Sequence, residues 1–237
     1  MIKIYNFIRF FLAVILIGCM LSFGSNRIDN SYCFLSDIKI DTNHNKFITK
    51  DIIIDYLKEF DLNPDSLLFS SISFYKIEKL LLGHPSVKDV VVYSDMNGNV
   101  YIELEQRNPI LRVQNIDESY YIDEDGKKML LSKKHTSRVL VVSGDISSVG
   151  ESELFKFVMS ILENKFLENQ IVQIEIKNSE LLLHCREGEN ILFGQIKDVK
   201  EKFKKLLLYY NKGNINNQSY SLINLKYKNQ IVCIKNN

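Results

Sequence analysis

From His84 to Gly144 the apolar and polar positions change period in a way that sets out elements one by one. Val100, Ile102 and Leu104 alternate with Tyr101, Glu103 and Glu105, the period of two expected of a strand buried on one face. Val90-Val91-Val92-Tyr93 precedes them. Asn97-Gly98 between the two runs tolerates the positive φ of a tight turn, so together they predict a β-hairpin. Upstream, Phe34 to Ile40 alternates well enough for a strand. Behind Thr49, whose hydroxyl is placed to cap a helix, Ile53, Tyr56, Leu57 and Phe60 share one helical face. Asp61 to Pro64 breaks that pattern. Ser73 caps a second predicted helix with Phe74, Ile77, Leu80 and Leu81 inward, ending at Gly83 before Pro85. The predicted order is β-α-α-β-β.

Gln106, Arg107 and Pro109 form the hinge to a second region. Pro109 has no N–H to donate and is expected to end the ladder. Arg107 is expected to be a solvated strand-end arginine, with pairing across the joint as the alternative. Ile110 to Val113 and Tyr120 to Ile122 predict strands, and Asp125-Gly126 turns the chain into Lys128 to Leu131. Arg138 to Val142 is a nearly continuous apolar run, expected in a sheet covered on both faces. Glu151 to Phe166 predicts a helix with Leu154, Val158, Ile161 and Leu162 inward. Val172, Ile174 and Ile176 alternate with polar residues, and Leu181, Leu183 and Cys185 continue on a partner strand. Ile196, Val199, Phe203, Leu206 and Tyr210 form one helical stripe, flanked by Lys197, Lys200, Lys204 and Lys205 on a solvated face. A last strand is predicted from Leu222 to Cys233. Ile223, Leu225, Tyr227, Ile231 and Cys233 lie on its inner face, and Asn224, Lys226, Lys228 and Gln230 on its outer one.

The N-terminus differs from all of this. Lys3 and Arg9 precede an apolar run, and Ile4 to Phe23 approaches the about 20 residues of a membrane-crossing helix. The same run suits a signal-peptide core, and Leu16-Ile17-Gly18-Cys19 also fits a lipoprotein cleavage box. Asn26 to Tyr32 reads as a polar tether.

Composition, 46% hydrophobic and 25% charged, describes a globular chain, and a formal net charge of +1 steers it towards neither nucleic acid nor acidic ligands. Cys19, Cys33, Cys185 and Cys233 have no CxxC or metal-ligand spacing. Cys185 and Cys233 read as small buried strand residues, with a bridge between them left open for an oxidising compartment. His44, His84, His135 and His184 have no ligand spacing either. His84 is expected to cap the end of a helix. A nucleophilic Cys185–His184 pair lacks a third group, and Asp123, Glu124 and Asp125 read as an acidic turn before a glycine. Phosphate loops and hydrolase or zinc-protease signatures do not occur.

His84-Pro85-Ser86-Val87, the hairpin, Gln106-Arg107-Asn108-Pro109, and Tyr120-Tyr121-Ile122-Asp123 with Asp125-Gly126 stand in a specific order. In that order they resemble the FtsQ/DivIB family of bacterial cell-division proteins, and Asn224-Leu225-Lys226-Tyr227 resembles the Asp-Leu-Arg-Tyr of that family's final strand. The resemblance implies an α+β chain with a single N-terminal transmembrane helix, a small β-α-α-β-β POTRA domain, and a mixed β-sheet domain with two packing helices. The expected boundaries are a cytoplasmic N-terminus at 1–9, anchor and tether at 10–32, the POTRA domain at 33–107 and the C-terminal β-domain at 108–237. The implied location is the inner membrane at the division septum, crossed once, with the bulk of the chain periplasmic.

The resemblance further implies a scaffold with no catalytic activity, no cofactor and no metal. Its partners would be FtsB/FtsL-like coiled-coil membrane proteins and, through them, the septal peptidoglycan synthase complex. In the family the coiled-coil partner adds a strand to the final sheet edge. Carried over, this makes Leu222, Asn224, Lys226, Tyr227, Lys228, Gln230 and Val232 the partner-binding residues. Two other readings are a POTRA module in protein secretion or outer-membrane assembly, and a lipid-anchored periplasmic enzyme.

Overall fold

A computed structural model describes residues 2–29, 31–41, 46–115, 118–132, 135–213 and 220–235. His44 and Ser219 lie outside the described residues. The chain forms two compact units, Met1–Gln106 and Arg107–Asn237.

The first unit begins with helix α1 (Ile2–Asp29), which takes in most of the expected tether. Among the described residues no helix is long and apolar enough to cross a membrane. This overturns the expected single-pass anchor and, with it, the inner-membrane location and cytoplasmic N-terminus. The physical reason is the interrupted apolar run. Asn6 and Arg9 precede it, Gly18 and Cys19 follow it, and Phe10 to Ile17 alone falls well short of the about 20 residues a span needs.

After it come β1 (Phe34–Asp41), α2 (Lys50–Glu59), α3 (Phe74–Leu82), β2 (Val87–Ser94) and β3 (Asn99–Gln106). The sheet order is β1-β3-β2, with β1 parallel and β2 antiparallel to β3. Val90, Val92, Val100, Ile102 and Leu104 are buried along one face of this sheet, and Ile53 and Leu57 of α2 and Ile77 and Leu81 of α3 are buried as well. The remaining face is open, and there Tyr93 stacks on Tyr101 with ring centroids 5.4 Å apart. Asp95 shapes the hairpin turn, its carboxylate accepting from the Asn97 and Asn99 amides at 2.8 and 3.0 Å. Ser73 Oγ accepts from the Lys76 amide, but Thr49, although at the N-cap, makes no such bond. The Thr49 oxygen is buried without a partner.

His84 does not cap carbonyls through its ring. Its Nδ1 accepts from the Ser86 amide at 3.2 Å, and the ring meets Tyr56 edge-on at 5.2 Å. Accepting at Nδ1 requires the neutral imidazole with its proton on Nε2. Burial pulls the His84 pKa below its ordinary 6.5. The unfolded chain therefore takes up a proton near pH 6.5 that the native chain refuses, and stability falls as pH drops through that value towards the native pKa. Urea unfolding of the first unit should show this loss between about pH 7 and 5.5. His84→Asn, whose Oδ1 accepts without titrating, should flatten it. A variant that tracks the parent over the whole range would place the sensitivity in another group.

The second unit is built on one sheet. Its elements are β4 (Pro109–Gln114), β5 (Ser119–Asp123), β6 (Lys128–Met129), β7 (Leu140–Gly144), α4 (Glu151–Leu162), α5 (Lys165–Gln170), β8 (Ile171–Lys177), β9 (Glu180–Cys185), β10 (Asn190–Gly194), α6 (Val199–Leu208), β11 (Tyr220–Asn224) and β12 (Val232–Lys235). The nine strands run in the order β12-β11-β10-β9-β8-β7-β4-β5-β6. Pairs β4–β7, β7–β8 and β10–β11 are parallel and the others antiparallel, so the sheet is mixed. Among the described residues three helices, rather than the expected two, fill the connections. The extra one, α5, is capped by Asn164, whose Oδ1 accepts from the Phe166 and Leu167 amides.

Burial alternates along β4, β9 and β7, where Leu140 and Val142 are buried and Val141 and Ser143 half-buried, whereas β5 is buried continuously from Tyr120 to Asp123. The second face, expected to be covered there, is covered in part: Val141 is half-buried, and Tyr121 and Met129 are buried on that face apart from the main core. Phe157 of α4, Phe193 of β10 and Phe203 of α6 meet at its centre, with centroids 4.8 to 5.6 Å apart.

Two hinge residues also behave differently from expectation. Pro109 opens β4 opposite Asp123 instead of closing a ladder. Arg107 is not solvated. Its Nη1 donates to Asp123 Oδ2 at 2.7 Å, with the two side chains 10% and 0% exposed. The other Asp123 oxygen accepts from the Asp125 and Lys127 amides at 3.0 and 2.7 Å, which fixes the acidic turn. The third hinge residue, Gln106, is tied into the first unit, its Oε1 accepting from the buried Ile48 amide at 2.9 Å.

Candidate docking edge

The single strand expected from Leu222 to Cys233 is instead a hairpin of β11 and β12, with Ile223 opposite Cys233 and Asn224 opposite Val232. On its other side β11 pairs with β10, Asn190 meeting Leu222 and Leu192 meeting Asn224. Leu222 and Asn224 therefore have neighbours on both sides. The outer ladder belongs to β12. Val232 and Ile234, 40% and 54% exposed, stand on it, while Ile223 and Leu225 anchor the hairpin in the core.

The turn between the strands is braced from several directions. Its first amide, that of Leu225, donates to Leu192 O at 3.0 Å, and Asn224 Oδ1 accepts from the Lys226 amide at 3.0 Å. That bond needs only an acceptor oxygen, which Asp would supply as well as Asn, so the departure from Asp-Leu-Arg-Tyr leaves the local geometry satisfied.

Lys226 is not free for a partner, because its Nζ lies 2.6 Å from Glu180 Oε1 of β9. On the way its stem crosses Gly194, where a Cβ would stand 2.8 Å from Lys226 Cγ. Lys205 of α6 donates to Tyr227 O at 2.5 Å. Lys202 spends its ammonium on Phe193 O and Gln195 O at 2.9 and 3.0 Å. Of the sequence-predicted docking residues, Tyr227 (50% exposed), Lys228 and Gln230 remain outward on the turn, and Tyr227 is not on the packed face.

Behind β12, Cys233 is half-buried beside the Tyr209 hydroxyl, and burial raises its pKa. Tyr209 itself is pushed up to about 12 by burial and by Cys233. It begins a π turn, Tyr209–Gly213, that follows α6 and also brings its ring against Tyr220.

Residues 108–234 match the family described as FtsQ/DivIB, C-terminal related, and residues 32–105 match the POTRA-like domain. The chain belongs to the FtsQ/DivIB family. It is 28% identical over 179 residues to the cell division protein FtsQ of Rickettsia prowazekii (strain Madrid E), covering 73% of this chain and 64% of that protein. With FtsQ of Rickettsia typhi (strain ATCC VR-144 / Wilmington) the identity is 27% over 182 residues, with the same coverage. The chain thus matches somewhat less than two thirds of the length of these relatives.

In this FtsQ/DivIB chain the candidate chemical groups are engaged in structure. His184 faces Asn190 at 2.7 Å through Nδ1 and Glu175 at 3.3 Å through Nε2. Cys185, its neighbour on a strand, points to the opposite, buried face. Burial and the nearby Glu189 carboxylate push the Cys185 thiol up to about 12, so at neutral pH it is protonated and a poor nucleophile. Cys185 and Cys233 are both free thiols. Among the described residues no group of three or more His, Cys, Asp or Glu side chains is placed to hold a metal ion.

Sequence reasoning missed Ile234 and Lys235 of the edge, and Glu180 and Lys205 that hold the turn. The alternation of Val232 with Ile234 was available as a signal for the first. The braces depend on tertiary placement and leave no local signal.

Proposed function

We propose that the chain is a non-catalytic scaffold of the bacterial division machinery, with β12 as the docking edge for an extended segment of a partner. The POTRA-like residues 32–105 would form its separate first module. The observation that carries this reading is a sheet margin ending in Val232–Lys235, in a chain of the FtsQ/DivIB family. An edge strand offers a row of unpaired N–H and C=O groups, and the exposed Val232 and Ile234 side chains add apolar area beside it. Tyr227, Lys228 and Gln230 flank the same hairpin and supply an aromatic anchor and a cation for acidic partner groups. The partners would be FtsB/FtsL-like coiled-coil proteins and, through them, the septal peptidoglycan synthase complex. The match of residues 108–234 to a division-protein family weighs against the secretion reading. A thiol at about 12 gives no support to a cysteine-dependent enzyme.

The test is a pull-down of coiled-coil partners with the full chain and with a Val232→Lys, Ile234→Lys double variant. Both positions are exposed, so the folding cost should be within about 0.5 kcal/mol per site. Two lysines on the margin discourage strand addition, so capture should be lost while the circular dichroism spectrum is kept. Capture at undiminished affinity by the folded variant would place docking elsewhere.

A further inference from the structure

The second unit carries a groove of about 490 Å³ between the α4–α5 junction and α6, using residues other than those of the docking edge. Its walls include Val199, Phe203, Leu207 and Leu208 of α6 and Leu167 of α5. Phe203 is buried and stacks on Phe157, so the floor is firm, whereas Leu208 is 48% exposed. On α6, Phe203 and Leu206 are in the core, Val199 and Leu207 pack half-buried at its margin where the groove opens, and Leu208 stands exposed beside them.

The wall's neutral polar groups from α4 and α5 are already used. Ser160 Oγ donates to Phe157 O at 2.6 Å, and Asn164 Oδ1 accepts the first amides of α5. A small ligand would find no convergent buried donors or acceptors there, as a built small-molecule site normally provides.

Charge is left at the rim. Lys200 and Lys204 stand one helical turn apart on α6, and among the described residues neither has an ion-pair partner. Their neighbours on the same helix behave differently, since Lys202 and Lys205 are committed to backbone carbonyls. Across the groove stands Glu163 at the end of α4. An apolar floor with two cations along one bank and a carboxylate on the other is complementary to an amphipathic helix.

We propose that this groove docks a partner's amphipathic helix, with its apolar stripe on the floor and an acidic flank, at i,i+4 spacing, along Lys200 and Lys204. Because it does not use the edge strand, the surface can be tested whatever the fate of the scaffold reading.

Fluorescence anisotropy with the full chain tests it, using two labelled synthetic helices of about 18 residues with leucines at i, i+3, i+4 and i+7. One carries glutamates along a flank and the other lysines. The acidic peptide should bind at least about ten-fold tighter at low salt, and the preference should weaken as salt is raised. Lys200→Glu with Lys204→Glu, both at exposed positions, should leave circular dichroism unchanged and reverse the preference. Leu208→Asp should weaken both peptides. Equal binding of the two peptides would overturn the proposal, as would a charge-reversed variant that binds like the parent. Loss of binding in the Val232→Lys, Ile234→Lys variant would show that the peptide uses the edge strand instead. A concentration-dependent dimer in sedimentation that Leu208→Asp dissolves would assign the groove to a second copy and likewise overturn it.

Discussion

Replacing Asp123 with alanine should cost the second unit about 3–5 kcal/mol, the range for removing one partner from a buried ion pair. The change leaves the Arg107 guanidinium, only 10% exposed, without its carboxylate at 2.7 Å. It also removes the acceptor of the Asp125 and Lys127 amides, so the turn between β5 and β6 loosens at the same time. Because these losses share one residue, the double variant Arg107→Met, Asp123→Leu should be less damaged than Asp123→Ala, but not neutral. The pair term disappears in it while the two turn amides stay unsatisfied. Urea unfolding followed by circular dichroism and tyrosine emission measures the difference, the chain having no tryptophan. A loss under about 1 kcal/mol for Asp123→Ala would mean that the pair is solvated in solution like an ordinary surface bridge.

Gly144→Ala is expected to be similarly damaging, by a different route. Gly144 has φ +99°, and a Cβ there would lie 2.1 Å from Ile176 O. That oxygen cannot retreat easily. It accepts from the Asp145 amide at 3.1 Å and belongs to the strand paired with β7. Left-handed strain and forced separation of β7 from β8 together amount to about 2–5 kcal/mol. Hydrogen exchange should show Val142 to Gly144 and Ile174 to Ile176 losing protection first. An alanine variant with unchanged protection at these amides would show that the strands close more loosely than their register indicates.

Where local pattern decides the structure, the sequence was readable. The β2–β3 hairpin has alternation and an Asn97-Gly98 turn, and α4 has a long apolar stripe above a polar one. Helix α5 escaped notice because Lys165–Gln170 is too short to show a period, although Asn164 ahead of it is a good cap. The terminal hairpin was hidden for the opposite reason. Leu225, Tyr227, Ile231 and Cys233 all fall on odd positions across the polar Lys228-Asn229-Gln230, and no glycine or proline marks the turn, so a period of two ran across a reversal of direction.

The lysines of the candidate site show a deeper limit. Lys200, Lys202, Lys204, Lys205, Lys226 and Lys228 look alike as letters. Only the positions of Phe193 O, Tyr227 O and Glu180 decide which are braces and which are free to meet something else. Arg107 was misread in the same way, since Asp123 becomes its neighbour only once β4 and β5 have paired. At the N-terminus the length of the helix was legible, but the length of the run without interruption mattered more.

The two margins of the nine-stranded sheet are unequal, one ending in the four residues of β12 and the other in the two residues of β6. Growth of a filament by strand addition needs two margins that can meet, one on each copy, so that every added molecule presents a fresh site. A margin of two residues cannot template a ladder of useful length. Under the proposed docking, assembly through this sheet would be capped: one extended segment would be accepted at β12, and among the described residues the far margin offers only β6 to continue the ribbon. A scaffold of the proposed kind, gathering others at a fixed stoichiometry without polymerising through its own exposed edge, would be served by that inequality.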